Sequence, residues 1–186
     1  MNKETEIKAK VPSSKIEALR ERIIELGAVP KNKVRQTDIY FTAPHKDFLK
    51  SKECLRIRKE NDHREITYKG PSNKFMEKRA QFWKKEINVP LSCSVKEIQD
   101  LLRSLGFKEV TRVIKQREIL SLGKNIITLD KVKSLGWFIE IERSVSTKRD
   151  QKKAIQENLG LLKKLGLAKK DVIPEPYRDL VIKRNG

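Results

Sequence analysis

The sequence predicts an α+β protein in which roughly eight strands curl into a closed barrel flanked by helices. Three observations carry this expectation. An order of strand, helix and three strands occurs twice along the chain, the strands set charged residues on one face against aliphatic residues on the other, and each helix has a single apolar stripe. The apolar stripes need a hydrophobic partner, so the helices must cover the aliphatic face of the sheet. The charged face then either meets bulk water as an open sheet or lines a polar lumen. Closure is the arrangement expected, because it also removes exposed strand edges.

Residues 4–10 (ETEIKAK) form the first strand, with Glu4, Glu6, Lys8 and Lys10 on one side and Thr5, Ile7, Ala9 and Val11 on the other. After Pro12, Ser13 or Ser14 can cap a helix in which Ile16, Leu19, Ile23, Ile24 and Leu26 recur at helical spacing and Gly27 is the stop. Residues 36–42 (QTDIYFT), 54–59 (CLRIRK) and 64–70 (REITYKG) read as three strands, residues 71–79 as a connection, and residues 80–89 as a strand ending at Pro90. The order then repeats. Ser94 caps a helix bearing Val95, Ile98, Leu101, Leu102 and Leu105, closed by Gly106. Strands follow around Lys115, over residues 125–132 and over residues 137–143. Such a duplication implies two pseudo-symmetric halves of one domain spanning residues 1–186. A third helix runs from about Arg149 to Leu165, and the tail through Tyr177 makes a turn and a short helix, with residues 183–186 expected to fray.

A chain of 186 residues is long enough to bury a core, although apolar and charged residues each make up 37% and leave little hydrophobic surplus. Its 43 Lys and Arg against 25 Asp and Glu give a net charge of +18, a field that attracts nucleic acid, acidic membranes, nucleotides or polyphosphate alike. Cys54 and Cys93 have no spacing suited to a disulfide framework or a zinc site. The chain opens directly on a charged strand and contains no run approaching the roughly 20 apolar residues of a membrane span, so a soluble cytoplasmic protein is expected.

The alternation recurs strand by strand. Arg56 and Arg58 oppose Leu55 and Ile57; Thr67 and Lys69 oppose Ile66 and Tyr68; Lys84, Glu86 and Asn88 oppose Trp83, Ile87 and Val89. Lys115 and Arg117 share a face, as do Thr128 and Asp130 against Ile127 and Leu129, and Glu140 and Glu142 against Ile139 and Ile141. An uncompensated buried charge costs several kcal/mol, and this many cannot all satisfy one another. Clustered carboxylates are hard-oxygen ligands for Mg²⁺ or Mn²⁺, while Arg forks and Lys point charges suit phosphate oxygens. A metal-bound polyphosphate satisfies both sets.

Glu4-x-Glu6-x-Lys8, QTDIYF, LRIR at 55–58, TYKGP at 67–71, Lys115-x-Arg117, LDKVKSLGWFIEIE at 129–142 and Tyr177-Arg-Asp179-Leu together resemble, in order over almost the whole chain, the CYTH superfamily of triphosphate tunnel metalloenzymes. The likeness is to its small prokaryotic branch similar to class IV adenylate cyclases. The resemblance implies an eight-stranded antiparallel barrel whose tunnel binds a triphosphate with a divalent metal. It implies Glu4, Glu6, Glu140 and Glu142 as metal ligands, with Asp130 and Glu86 assisting. It further implies Lys8, Arg56, Arg58, Lys69, Lys84, Lys115 and Arg117 as phosphate contacts, and Glu4, Glu6, Lys8 and Lys69 as the catalytic set. Where that family often has Arg-x-Glu-x-Glu on the fifth strand, this chain has Lys84-x-Glu86-x-Asn88.

The expected activity is therefore a Mg²⁺- or Mn²⁺-dependent phosphorus–oxygen lyase, converting ATP to cyclic AMP and pyrophosphate. The alternative is a hydrolase of thiamine triphosphate, nucleoside triphosphate or tripolyphosphate. A non-catalytic nucleic-acid or polyphosphate binder is the rival from another class, but Glu-x-Glu on two strands would repel a phosphate backbone. The expected partner is thus a small triphosphate, with no specific nucleic acid and no membrane, and the protein is expected as a monomer or homodimer. Tyr40 and Tyr177 read as packing residues, His45 and His63 as surface residues.

Overall fold

The structure, a computed structural model, describes residues 3–71 and 86–186, with Lys3, Glu4 and Lys148 described in backbone only. Its strands are β1 (Lys3–Val11), β2 (Val29–Thr42), β3 (Cys54–Glu60), β4 (His63–Lys69), β5 (Glu86–Pro90), β6 (Lys108–Leu122), β7 (Asn125–Val132) and β8 (Gly136–Val145). The described residues contain four α-helices, α1 (Ile16–Glu25), α2 (Val95–Ser104), α3 (Lys148–Lys164) and α4 (Tyr177–Asn185). No helix among the described residues is long and apolar enough to cross a membrane.

The strands form one eight-stranded sheet with the order β1-β8-β7-β6-β2-β3-β4-β5. Pairing of β1 with β8, β7 with β8, β2 with β3, β3 with β4 and β4 with β5 is antiparallel. The duplicated order of strand, helix and three strands is present, but each opening strand is exchanged. β1 pairs with β8 of the second repeat, and β5 pairs with β4 of the first. The order runs from β1 at one end to β5 at the other, so the described hydrogen bonds do not close the sheet as the sequence led us to expect. Of the strand expected over residues 80–89, only Glu86 onward is among the described residues, and the expected phosphate contact Lys84 lies outside them.

Two compact units divide the described residues. The first comprises residues 3–33 and 116–174. Its core joins Ile7, Ala9 and Val11 of β1, Ile127 and Leu129 of β7 and Ile139 and Ile141 of β8 to Ile16, Leu19 and Ile23 of α1 and to Leu162 of α3. The strand members are the aliphatic positions of the alternation, and burial of each Ile, Leu or Val side chain contributes roughly 1.5–3 kcal/mol. Asn158 of α3 is buried too, its amide donating to the Ile141 carbonyl at 3.3 Å. The free edge of β1 is partly covered by the segment after α3, where the Ile173 amide donates to the Lys8 carbonyl at 2.8 Å.

The second unit comprises residues 34–71, 86–115 and 175–186. Ile39, Phe41 and Ile57 pack on Leu102 of α2, with Ile66, Val95, Ile98 and Phe107 around them. Ser94 caps α2 through a capping box with Glu97, as the sequence indicates. By contrast, neither Ser13 nor Ser14 caps α1. They lie in a 3-10 turn (Ser13–Lys15) that enters the helix directly. The tail also differs from the fraying expected, since α4 extends to Asn185. Its anchor is Arg178, a buried side chain that donates to the Glu53 carbonyl at 2.7 Å.

Candidate functional site

In the first unit the antiparallel register of β1 and β8 sets Glu6 opposite Glu142 and Lys8 opposite Glu140. All four side chains belong to the charged face because the side-chain period of a strand is two. Carboxylate oxygens of Glu6, Glu140 and Glu142 lie within 4.8 Å of one another. Lys8 and Glu140 are buried and Asp130 of β7 is fully so. Arg117 of β6 reaches over this group. It forks onto Asp130 with Nε–Oδ1 at 2.7 Å and Nη2–Oδ2 at 2.6 Å, donates to Glu140, and stands 3.9 Å from Glu142. Burial alone would depress the guanidinium pKa, but the charges of Glu140, Asp130 and Glu142 more than offset this and hold it well above its usual value.

The converging carboxylates fit a hard divalent cation. Three oxygen donors come from two hydrogen-bonded strands, and Mg²⁺ and Mn²⁺ prefer such carboxylate ligands to nitrogen or sulfur. Glu4 falls one register step further along β1, opposite Ser144, and only its backbone is described. Asp130, expected to assist at the metal, is forked by Arg117, which also contacts Glu140 and Glu142 of the cluster.

In the second unit the row mixes cations with carboxylates. Arg58 of β3 forks onto Asp38 of β2, both contacts being 2.7 Å, and Arg56 approaches the same carboxylate at 3.5 Å. Burial would raise the Asp38 pKa, but Arg56 and Arg58 push it far below the carboxylate range. Arg56 also lies 3.8 Å from Glu65 and 4.0 Å from Glu86, and its Nε is buried with no hydrogen-bond partner in the structure. A buried guanidinium N–H without an acceptor is costly, so an oxygen acceptor reaching it would be stabilised. Lys69 pairs with Glu86 at 2.7 Å, and Arg56 lies 4.0 Å from the same carboxylate. Lys115 is buried, its ammonium 5.0 Å from the centroid of the Tyr177 ring.

The CYTH domain profile matches residues 2–177. The chain belongs to the CYTH family. Over 177 residues it is 34% identical to a Methanocaldococcus jannaschii protein named as a candidate adenylate cyclase, covering 95% of this chain and 97% of that one. A Pyrococcus horikoshii protein of solved structure superposes with a TM-score of 0.83 at 32% identity, over 97% of this chain and 99% of the other. At 15% identity, a Hippeastrum protein described as a candidate adenylyl cyclase with a dominant triphosphatase activity shares the fold, with a TM-score of 0.66 over 100% of this chain and 96% of its own.

Within this CYTH chain, the first unit gathers Glu6, Lys8, Arg117, Asp130, Glu140 and Glu142, and the second gathers Arg56, Arg58, Lys69, Glu86 and Lys115. The sequence reading passed over Asp38 and Glu65, the carboxylates that hold the Arg56 and Arg58 guanidiniums in place. The signal was present in QTDIYFT, whose alternation puts Gln36, Asp38 and Tyr40 in one row against Ile39 and Phe41. Tyr177, read as packing, is buried, and its ring lies over the Lys115 ammonium.

Proposed function

We propose that this chain is a divalent-metal-dependent enzyme that binds a triphosphate and cyclises ATP to cyclic AMP and pyrophosphate. The observation that carries the reading is the convergence of Glu6, Glu140 and Glu142 on strands whose remaining charged positions are largely cations. On this reading Glu6, Glu140 and Glu142, joined by Glu4, hold the metal, which when bound neutralises phosphate oxygens. Arg56, Arg58, Lys69, Lys84 and Lys115 grip the phosphates. Lys8 and Lys69 stabilise the negative charge that develops as the ribose 3′-hydroxyl gives up its proton to solvent, its oxygen bonds to the α-phosphorus and the bond from that phosphorus to the bridging oxygen breaks, releasing pyrophosphate. The reading requires the carboxylate and cation sets to serve one substrate, and closure of the sheet into a barrel is part of it.

Hydrolysis is the second reading. The same cation rows suit any triphosphate, and the fold-sharing Hippeastrum protein is described by a dominant triphosphatase activity. The test is to incubate the purified protein with Mg²⁺ or Mn²⁺ and ATP, thiamine triphosphate or tripolyphosphate, and to identify the products. Cyclic AMP with pyrophosphate is the expected outcome; orthophosphate without cyclic AMP selects the hydrolase, and absence of turnover with all three substrates overturns both.

A further inference from the structure

Helix α3 turns Gln151, Ala154, Asn158 and Leu162 inward, and in its unit it packs against β1 and β8 on their aliphatic side. At 3.6 residues per turn, the side of the helix directly opposite carries Arg149, Lys152 and Lys153 near its start, Lys163 and Lys164 at its end, and Gln156 and Gly160 between. All seven are exposed, and none is acidic or apolar. The exposed faces of other helices mix and pair their charges, as Lys96 and Arg103 do with Asp100 at 2.9 and 3.2 Å on α2. On this stripe the described ion pairs include only a loose one, Lys153 to Glu157 at 3.9 Å.

Gly160 adds a second, independent observation. Glycine is the poorest helix former after proline, yet a Cβ at this position would meet nothing within 4 Å, so no packing contact in the described structure requires it. It leaves bare backbone between two cationic clusters, which is what close approach of another molecule uses. Lys152 and Lys163 are eleven residues apart, or about 16 Å along the helix at 1.5 Å per residue. That span exceeds a small triphosphate and matches a helix laid across a duplex groove about 12 Å wide with its ends on the flanking phosphates.

We propose that the outer face of α3 docks on the phosphate backbone of duplex nucleic acid, one cationic cluster on each strand and Gln156 and Gly160 over the groove. Contact is to phosphate and therefore independent of base sequence. The Glu-x-Glu rows that argue against nucleic acid on the charged sheet face do not bear on this surface, because α3 covers the opposite, aliphatic face. A membrane fits less well, since an interfacial helix needs an exposed apolar side and the apolar side of α3 is buried against the sheet.

The test compares three proteins for binding to a fluorescent duplex of about two helical turns at several salt concentrations. The stripe variant combines Arg149→Gln, Lys152→Gln, Lys153→Gln, Lys163→Gln and Lys164→Gln. The control loses equal charge elsewhere, through Lys31→Gln, Lys59→Gln, Lys108→Gln, Lys124→Gln and Lys133→Gln. The stripe variant is expected to lose at least about tenfold in affinity and to flatten the slope of log K against log salt by about four, with the control losing less than about threefold. Equal loss in both variants overturns the proposal, as does absence of duplex binding by the unaltered protein. Loss of binding to phosphatidylserine vesicles with duplex binding intact also overturns it. Circular dichroism melts establish that each variant is folded. If the stripe variant is not, Gly160→Glu, which sets one carboxylate amid the cations, takes its place: reduced duplex affinity supports the proposal and unchanged affinity overturns it. None of these readouts depends on triphosphate turnover.

Discussion

Arg117 and Asp130 form a two-point fork, Nε to Oδ1 at 2.7 Å and Nη2 to Oδ2 at 2.6 Å, with the carboxylate wholly removed from solvent. A fork of this kind fixes the plane of the guanidinium as well as its position. Arg117 is thereby held against Glu140, and 3.9 Å from Glu142, as a counter-charge within the carboxylate group. Asp130→Asn keeps the shape of the pair but removes its charge. The expected outcome is a loss of about 3 kcal/mol in unfolding free energy, as for other broken buried pairs, measured by denaturant titration. Unchanged stability would show that Glu140 alone suffices to hold Arg117.

Glu6 and Glu142 face one another across β1 and β8, and with Glu140 they crowd three like charges into a small volume. Removing one relieves repulsion. Glu6→Ala and Glu142→Ala are therefore expected to retain or raise the melting temperature while lowering metal-dependent turnover by more than about a hundredfold. Mn²⁺ binding, followed by its electron paramagnetic resonance signal, should weaken in parallel. Unfolding of both variants would instead assign these carboxylates a structural role.

Acid should unfold the protein through Asp38 and Glu53. Burial opposes ionisation of both, but Arg56 and Arg58 hold the Asp38 carboxyl far below the usual range. The Lys46 ammonium, 2.5 Å away, and a hydrogen bond donated by the Tyr68 hydroxyl bring Glu53 down to about 2. A carboxyl depressed in the folded state contributes its full stabilisation above its unfolded pKa of about 4 and loses it as pH falls through the folded value. The melting temperature should hold from pH 7 to about pH 5 and fall steeply below about pH 4. Glu53→Gln should make that fall shallower, and an unchanged acid limb in this variant would remove Glu53 from the account.

Alternation identified the interior because burial on one face only is what a period of two reports. Hence Ile7, Ile57, Ile127, Ile139 and Ile141, all aliphatic positions in the sequence, are core residues. The same signal failed where neither face is buried. Residues 29–33 are exposed throughout, so β2 begins seven residues before the stretch at Gln36 that reads as a strand, and β6 extends to fifteen residues around a recognisable centre at Lys115. Pairing partners were not legible either. Exchange of β1 and β5 between the repeats depends on long-range register, which no local pattern encodes. At the site, the rows gave the residues but not who meets whom, and the fork of Arg117 on Asp130 and its contact with Glu140 are visible only in the structure.

Tyr177 lies over Lys115, ring centroid to ammonium 5.0 Å, and both side chains are buried. A desolvated contact of this kind is worth about 2 kcal/mol and needs the ring face but not the hydroxyl. Tyr177→Phe should therefore bind tripolyphosphate like the unaltered protein in isothermal calorimetry, whereas Tyr177→Leu should bind it several-fold more weakly. Equal weakening by both would assign the effect to the hydroxyl.

Gly160 stands exposed within α3 with open space where a side chain would be. Replacing it with alanine lowers the entropy of the unfolded chain and strains nothing in the helix. Gly160→Ala should stabilise the protein by about 1 kcal/mol, read as a rise of about 2–4 °C in melting temperature. The gain should be independent of pH, because no titratable group is altered. If the duplex approaches the helix backbone at this position, the same variant should be more stable and yet bind duplex more weakly, a combination that a purely conformational effect would not produce. A rise in stability with unchanged duplex affinity would mean that the partner, though held by the lysines, does not come within a methyl group of the helix.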